Sequence, residues 1–203
     1  MLPSAFAGIL EAEFQKLELK LPADQRDKLA TYCTELLHWN RKINLTSLTG
    51  VDLVKRLIAE PAWIGAQLGM SGSFADIGSG NGSPAIPLAV TTVVNKAHLI
   101  EARMKRAAFL RHLAGKLQLA GVSVHSDRCE NVAAGLEPVE WITLQAVALS
   151  RPLRESLQLC ATPTTQVVWI TARGHAPTPS STMIRVPGSE TEAWVFRLDP
   201  IPS

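Results

Sequence analysis

Between Asp76 and Gly82 the chain reads D-I-G-S-G-N-G, directly behind an apolar run at 74–77 and ahead of a helix-forming stretch. Glycines at 78, 80 and 82 let the backbone turn tightly and approach a ligand with no Cβ in the way, and they stand where a strand gives way to a helix. The spacing is G-x-G-x-G. It matches neither G-x-G-x-x-G nor a phosphate-binding loop, which needs Lys after its last glycine. An acidic residue, Glu101, closes the next apolar run, 19 positions after Gly82. A carboxylate there faces the ribose of an adenosine lying over the glycines. Asp76, two residues before Gly78, would repel a pyrophosphate but tolerates the ammonium and sulfonium of S-adenosylmethionine, so the loop favours that cofactor over NAD.

The rest of the chain supplies the setting for such a loop. Residues 4–19 and 24–39 read as helices, the second with Leu29, Cys33, Leu36 and Leu37 at helical spacing behind Asp24. A third helix is expected from Asp52 toward Ala59, ended or kinked by Pro61. Beyond Gly72 the pattern alternates: strands at 74–77, 97–100, 122–125, 141–147 and 166–171, and helices at 87–90, 103–119 and 152–159. Two last strands, 183–186 and 192–198, joined through Pro187-Gly188-Ser189, suggest an antiparallel edge hairpin. The expectation is an α/β fold, with a helical region over 1–70 packed on a Rossmann-like domain over 71–203.

Composition narrows the classes. With 46% apolar and 19% charged residues in 203, the chain has enough apolar material for a folded core and is not a disordered segment. Three scattered cysteines, Cys33, Cys129 and Cys160, form no metal motif or disulfide framework, which fits a reducing cytoplasm. The N-terminus has no basic leader. The longest uncharged run, 77–95, holds three Gly, two Pro and two Asn and cannot span a bilayer as a helix, so no membrane partner is expected. Net charge is only +2, yet residues 39–116 carry ten Lys/Arg against four Asp/Glu. Such a central basic stretch is either a solvated face or a phosphate-facing surface.

Four blocks resemble a known family in order and spacing: W-N-R-K-I-N-L-T (39–46), D-I-G-S-G-N-G-S-P-A-I-P-L-A-V (76–90), L-I-E-A-R-M-K-R-A-A-F-L (99–110) and D-R-C-E (127–130). The chain is similar over about residues 25–150 to the glucose-inhibited division protein B family, bacterial methyltransferases acting on N7 of a guanine in small-subunit ribosomal RNA. The resemblance implies a class I methyltransferase sheet. It further implies that Asp76, Gly78, Gly80, Gly82, Ser83 and Glu101 serve the cofactor, that Cys129 and Glu130 stand on its adenine side, and that Gln145 lies near the methyl group. Arg41, Lys42, Asn44, Lys105, Arg106 and Arg128 become RNA-facing candidates. A cytoplasmic monomer with ribosomal RNA of the small subunit as partner is the corresponding expectation.

The chain departs from the family pattern at Leu57 and Glu60, in place of a His-x-x-Asp-Ser block, at Ser83 and Ala85, at Gln145, where Arg is usual, and at 161–163. A catalytically weakened RNA- or cofactor-binding relative is therefore the alternative reading, with an NAD-dependent oxidoreductase using His125 behind it.

The expected chemistry is undemanding. Guanine N7 carries a free lone pair on the major-groove edge, so attack on a sulfonium methyl requires no prior deprotonation and no general base. The fourth core strand lacks the [DNS]-P-P-[YFW] clamp of amino-group methyltransferases. Neither Cys129 nor Cys160 follows a proline, as a cytosine-C5 nucleophile would.

Overall fold

A computed structural model describes residues 4–172 and 176–198. Helices α1 (Ser4–Lys16), α2 (Ala23–Asn40), α3 (Gly50–Val54) and α4 (Glu60–Gln67) precede a sheet of β1 (Ser71–Ile77), β2 (Val93–Ile100), β3 (Val122–His125), β4 (Val139–Gln145), β5 (Ala161–Thr171), β6 (Thr182–Arg185) and β7 (Glu192–Phe196). Between the strands lie α5 (Ala85–Thr91), α6 (Met104–Lys116), α7 (Cys129–Val132) and α8 (Arg151–Gln158).

The sheet order is β3-β2-β1-β4-β5-β7-β6. Strands β1 to β5 pair in parallel, and β7 runs antiparallel to both β5 and β6. The chain leaves β1 toward β2 on one side and returns to β4 on the other. That reversal opens a crevice at the carboxyl ends of β1, β2 and β4, the usual ligand position in open α/β sheets. The C-terminal halves of β1 and β2 are fully buried, as expected of parallel strands covered on both faces. The edge hairpin forms as its Pro-Gly-Ser turn predicts, with Gly188 at φ +64°.

Pro61 neither ends nor breaks its helix. Residues Lys55–Ala59 widen into a π-helical turn, and the Glu60 N–H reaches back to Lys55 O. The helix then continues through Pro61 to Gln67. A π-turn removes the tight i−4 geometry that a proline ring would clash with. Glu60, 1% exposed, accepts from Ser189 Oγ and Thr191 Oγ1, each at 2.6 Å, and so fastens the hairpin turn to this helix. One apolar cluster joins Phe6, Leu29, Tyr32 and Leu53 of the first helices to Phe74, Leu99 and Phe109 of the sheet layers. A second packs Ala75, Ile142 and Val167 against α7 and α8.

Candidate active site

The glycine loop is fixed by its neighbours before any ligand is considered. Gly78 N–H and Ser79 N–H both donate to Ile100 O, at 2.8 and 3.1 Å, continuing the β1–β2 ladder into the turn. Gly78, Gly80 and Gly82 have φ of +72°, +47° and +96°, the left-handed region that favours glycine. A Cβ on Gly78 would stand 2.9 Å from Val147 Cγ2, whereas one on Gly80 would meet Gly78 O, Arg106 Nη1 and Glu101 Oε2 at 3.4, 3.5 and 3.9 Å. Any longer side chain at Gly80 would enter the space between Arg106 and Glu101.

Around it lies a cleft of about 360 Å³ lined by Gly78, Gly80, Ser83, Glu101, Arg106 and Gln145, with Leu45 and Leu57 among its other walls. Glu101 is 6% exposed; Oε2 accepts the Gly80 N–H at 2.9 Å and Oε1 the Arg103 N–H at 2.7 Å. Each carboxylate oxygen keeps a further lone pair for a ligand hydroxyl. A second recess of about 340 Å³ adjoins the cleft through Gly78 and Val147 and is lined by Asp127, Arg128, Cys129 and Glu130. Burial pushes the Cys129 thiol up to about 12, which favours its protonated form.

Two of the expected cofactor residues do not line the cleft. Asp76 is fully buried, accepts from Thr143 Oγ1 at 2.6 Å, and has Oδ2 without a hydrogen-bond partner. Burial raises its pKa to about 6, opposed by hydrogen bonds from Thr143 and Ser79 and reinforced by Glu101. Gly82 faces Ile86, Tyr32 and Leu110 rather than the cleft.

The basic candidates divide. Arg41, Lys42, Lys105 and Arg128 are exposed, while Arg106 is half-buried in the cleft wall and donates to Asn44 O at 2.9 Å. Asn44 thus contributes its carbonyl. The residue that builds this turn is Asn40, whose Oδ1 accepts from Leu45 N and Thr46 N and whose Nδ2 donates to Thr46 O. Trp39 is a packing residue, against Phe109 and His112.

Several participants carried no local signal. Tyr32, the chain's one tyrosine, donates from α2 to Asn81 O at 3.0 Å and so props the glycine loop. Asn81 reaches toward Leu45 O, and its Oδ1 holds the Ser83 N–H at 3.0 Å. His125 pairs with His98 at 3.1 Å, and the residues lining the cleft do not include it. Among the described residues no group of three or more His, Cys, Asp or Glu could hold a metal, and no helix is long and apolar enough to cross a membrane.

Comparison with known proteins places this geometry. The GidB family model, described as rRNA small subunit methyltransferase G, matches residues 25–178. A relative named ribosomal RNA small subunit methyltransferase G from Polynucleobacter asymbioticus is 35% identical over 132 residues, 62% of this chain and 60% of that protein. Relatives of the same name from Staphylococcus carnosus and Oceanobacillus iheyensis are each 34% identical, over 72% and 76% of this chain and 64% and 66% of theirs. The chain therefore spans under two thirds of the length of each of these relatives. Among solved structures, a methyltransferase from Geobacter sulfurreducens superposes with a TM-score of 0.62 at 14% identity, over 83% of this chain and 89% of that one. A SAM-dependent methyltransferase from Aquifex aeolicus gives 0.54 at 15% identity, over 70% and 92%. These two likenesses show the class I methyltransferase fold.

Proposed function

Because the chain belongs to the GidB family of rRNA small subunit methyltransferases G, we propose that it transfers the methyl group of S-adenosylmethionine to N7 of a guanine in small-subunit ribosomal RNA. The observation that carries the reading is Glu101: a buried carboxylate at the end of β2, 2.9 Å from the Gly80 N–H, with acceptor capacity left toward the cleft. The space at Gly80 between Arg106 and Glu101 and the adjoining recess at Cys129 and Glu130 fit an adenosine with an amino-acid tail.

When bound, the cofactor supplies an electrophilic methyl on a positively charged sulfur. Glu101 would accept the ribose hydroxyls, and the recess beside Cys129 and Glu130 would take the adenine. Leu45 and Leu57 give the cleft apolar walls. Gln145 stands on the β4 side, across β1 from Glu101. No side chain has to remove a proton, since N7 attacks through its lone pair; the residues act by positioning. Arg41, Lys42, Lys105 and Arg128 would meet RNA phosphates. Residues 71–203 would carry the cofactor site and 1–70 flank it, the whole acting as a cytoplasmic monomer.

The neutral Gln145 and apolar Leu57 in the cleft favour, as second reading, a relative that binds RNA and cofactor without efficient transfer. Incubation with S-adenosylmethionine and either naked or assembled small-subunit RNA separates the two. Formation of 7-methylguanosine supports the enzyme; binding of both ligands with no methyl incorporated supports the second reading.

A further inference from the structure

Ser83 and Gln145, 62 residues apart, meet in the cleft: Ser83 Oγ donates to Gln145 Oε1 at 2.9 Å. Ser83 is 7% exposed and its own N–H is held by Asn81 Oδ1, so the hydroxyl has little freedom of position. Gln145 ends β4 in register with Ile170 of β5, and Ala146, at φ +55°, turns the chain away immediately after it. The amide is half-buried and lines the cleft. Its oxygen is engaged by Ser83, and among the described residues Nε2 has no hydrogen-bond partner. Gln145 therefore offers the cleft an uncharged donor.

The Hoogsteen edge of guanine presents two acceptors, N7 and O6, whereas adenine presents the acceptor N7 beside the donor N6 amino group. A donor fixed next to the reacting nitrogen complements a 6-oxopurine and confronts a 6-aminopurine donor to donor. Resting on the methyl-transfer reading above, we propose that Gln145 donates from Nε2 to O6 of the target guanine and that Ser83 is the positioning residue that anchors the amide against the cleft wall. Without the Ser83 hydroxyl the amide loses this anchor and its donor is no longer held at the base, so the discrimination against adenine falls. Because Gln145 carries no charge, it adds no repulsion to the positive charge that develops on the purine.

The test is binding of guanosine monophosphate and adenosine monophosphate to the full chain saturated with S-adenosylhomocysteine, followed by NMR, for the wild type, Ser83→Ala, Gln145→Ala and Gln145→Glu. The expected wild-type preference for guanosine monophosphate is roughly tenfold, the worth of one well-placed hydrogen bond and the clash avoided. Ser83→Ala brings the ratio toward one with guanosine monophosphate still bound. Gln145→Ala and Gln145→Glu lose the preference by weakening guanosine monophosphate itself. S-adenosylhomocysteine is held at saturation for each variant, so the ratio of the two nucleotide affinities is read independently of any change in its own binding. Equal wild-type affinities or a ratio unmoved by the substitutions overturns the pair. Wild-type methyl transfer is read separately, so its failure would count against the proposed reaction while the base preference still decides the role of these two residues.

Discussion

The Gly80 N–H donates to Glu101 Oε2 at 2.9 Å, joining the loop after β1 to the acid that follows β2 before any ligand binds. Glu101 also holds the Arg103 N–H, so one carboxylate organises both the glycine turn and the start of α6. Glu101→Ala should weaken S-adenosylmethionine binding by roughly 1.5 to 3 kcal/mol, the range for hydrogen bonds to a charged group. Glu101→Gln should fall between, because its amide can accept one of the two N–H groups but not both. Isothermal titration reads this directly, and wild-type affinity in the alanine variant would remove Glu101 from the site.

At Gly80 the φ of +47° and the close surroundings of a Cβ, with Gly78 O at 3.4 Å, act together. Gly80→Asp would place a carboxylate between Arg106 and Glu101, filling that space and adding negative charge beside Glu101. The expected outcome is a folded protein, by circular dichroism, with no measurable cofactor binding. Retained affinity in a folded variant would exclude this loop as the binding surface.

Asp76 gives a pH signature of stability rather than of binding. Its folded pKa, about 6, lies above the ordinary 3.8 because burial penalises the charged form. The neutral form therefore fits the fold better. Its contribution is fully present below the ordinary value and is lost as pH rises through about 6, a change of at most about 3 kcal/mol. Asp76→Asn keeps an acceptor for Thr143 and carries no charge, so it should be the more stable protein at pH 7.5, with the advantage shrinking by pH 4. Denaturant titrations at the two pH values check it; a gain equal at both would show that charge is not the cause.

On the RNA side, the exposed Arg41, Lys42, Lys105 and Arg128 differ from Arg106, which is bonded to Asn44 O. Neutralising any true phosphate contact among the first four should flatten the salt dependence of RNA binding by about 0.7 to 0.9 per charge. Cofactor affinity should stay unchanged. Arg106→Ala should lower both RNA and cofactor binding, because it also releases the 40–46 turn from the cleft wall. An unaltered slope for Lys105→Ala would return that helix end to a solvated face.

What the sequence made legible was local. Three left-handed glycines behind an apolar strand can serve few purposes, and Glu101 followed at the spacing of one strand-helix-strand unit, so the loop and its acid were readable without coordinates. Pro61 does not end its helix, because a proline clashes with α-geometry and the π-turn at Lys55–Ala59 replaces that geometry just before it. Helix α7 is four residues long, too short for any periodicity to reveal. The Tyr32–Asn81 and Ser83–Gln145 bonds span 49 and 62 residues. Tyr32 carries no mark in its own segment, and although Ser83 and Gln145 were each readable as departures from the family pattern, only tertiary placement makes them a pair. Asp76 was visible as an acid near the glycines, but alternation along β1 decides that it points beneath them.

The most direct test of the central claim is methyl transfer to small-subunit RNA transcribed with 7-deazaguanosine in place of guanosine. That substitution exchanges the N7 lone pair for a C–H and leaves the O6 acceptor and Watson–Crick edge intact. With radiolabelled S-adenosylmethionine, the protein should label ordinary RNA, yielding 7-methylguanosine on digestion, and leave the 7-deaza RNA at background. Equal labelling of the two RNAs would contradict transfer to guanine N7.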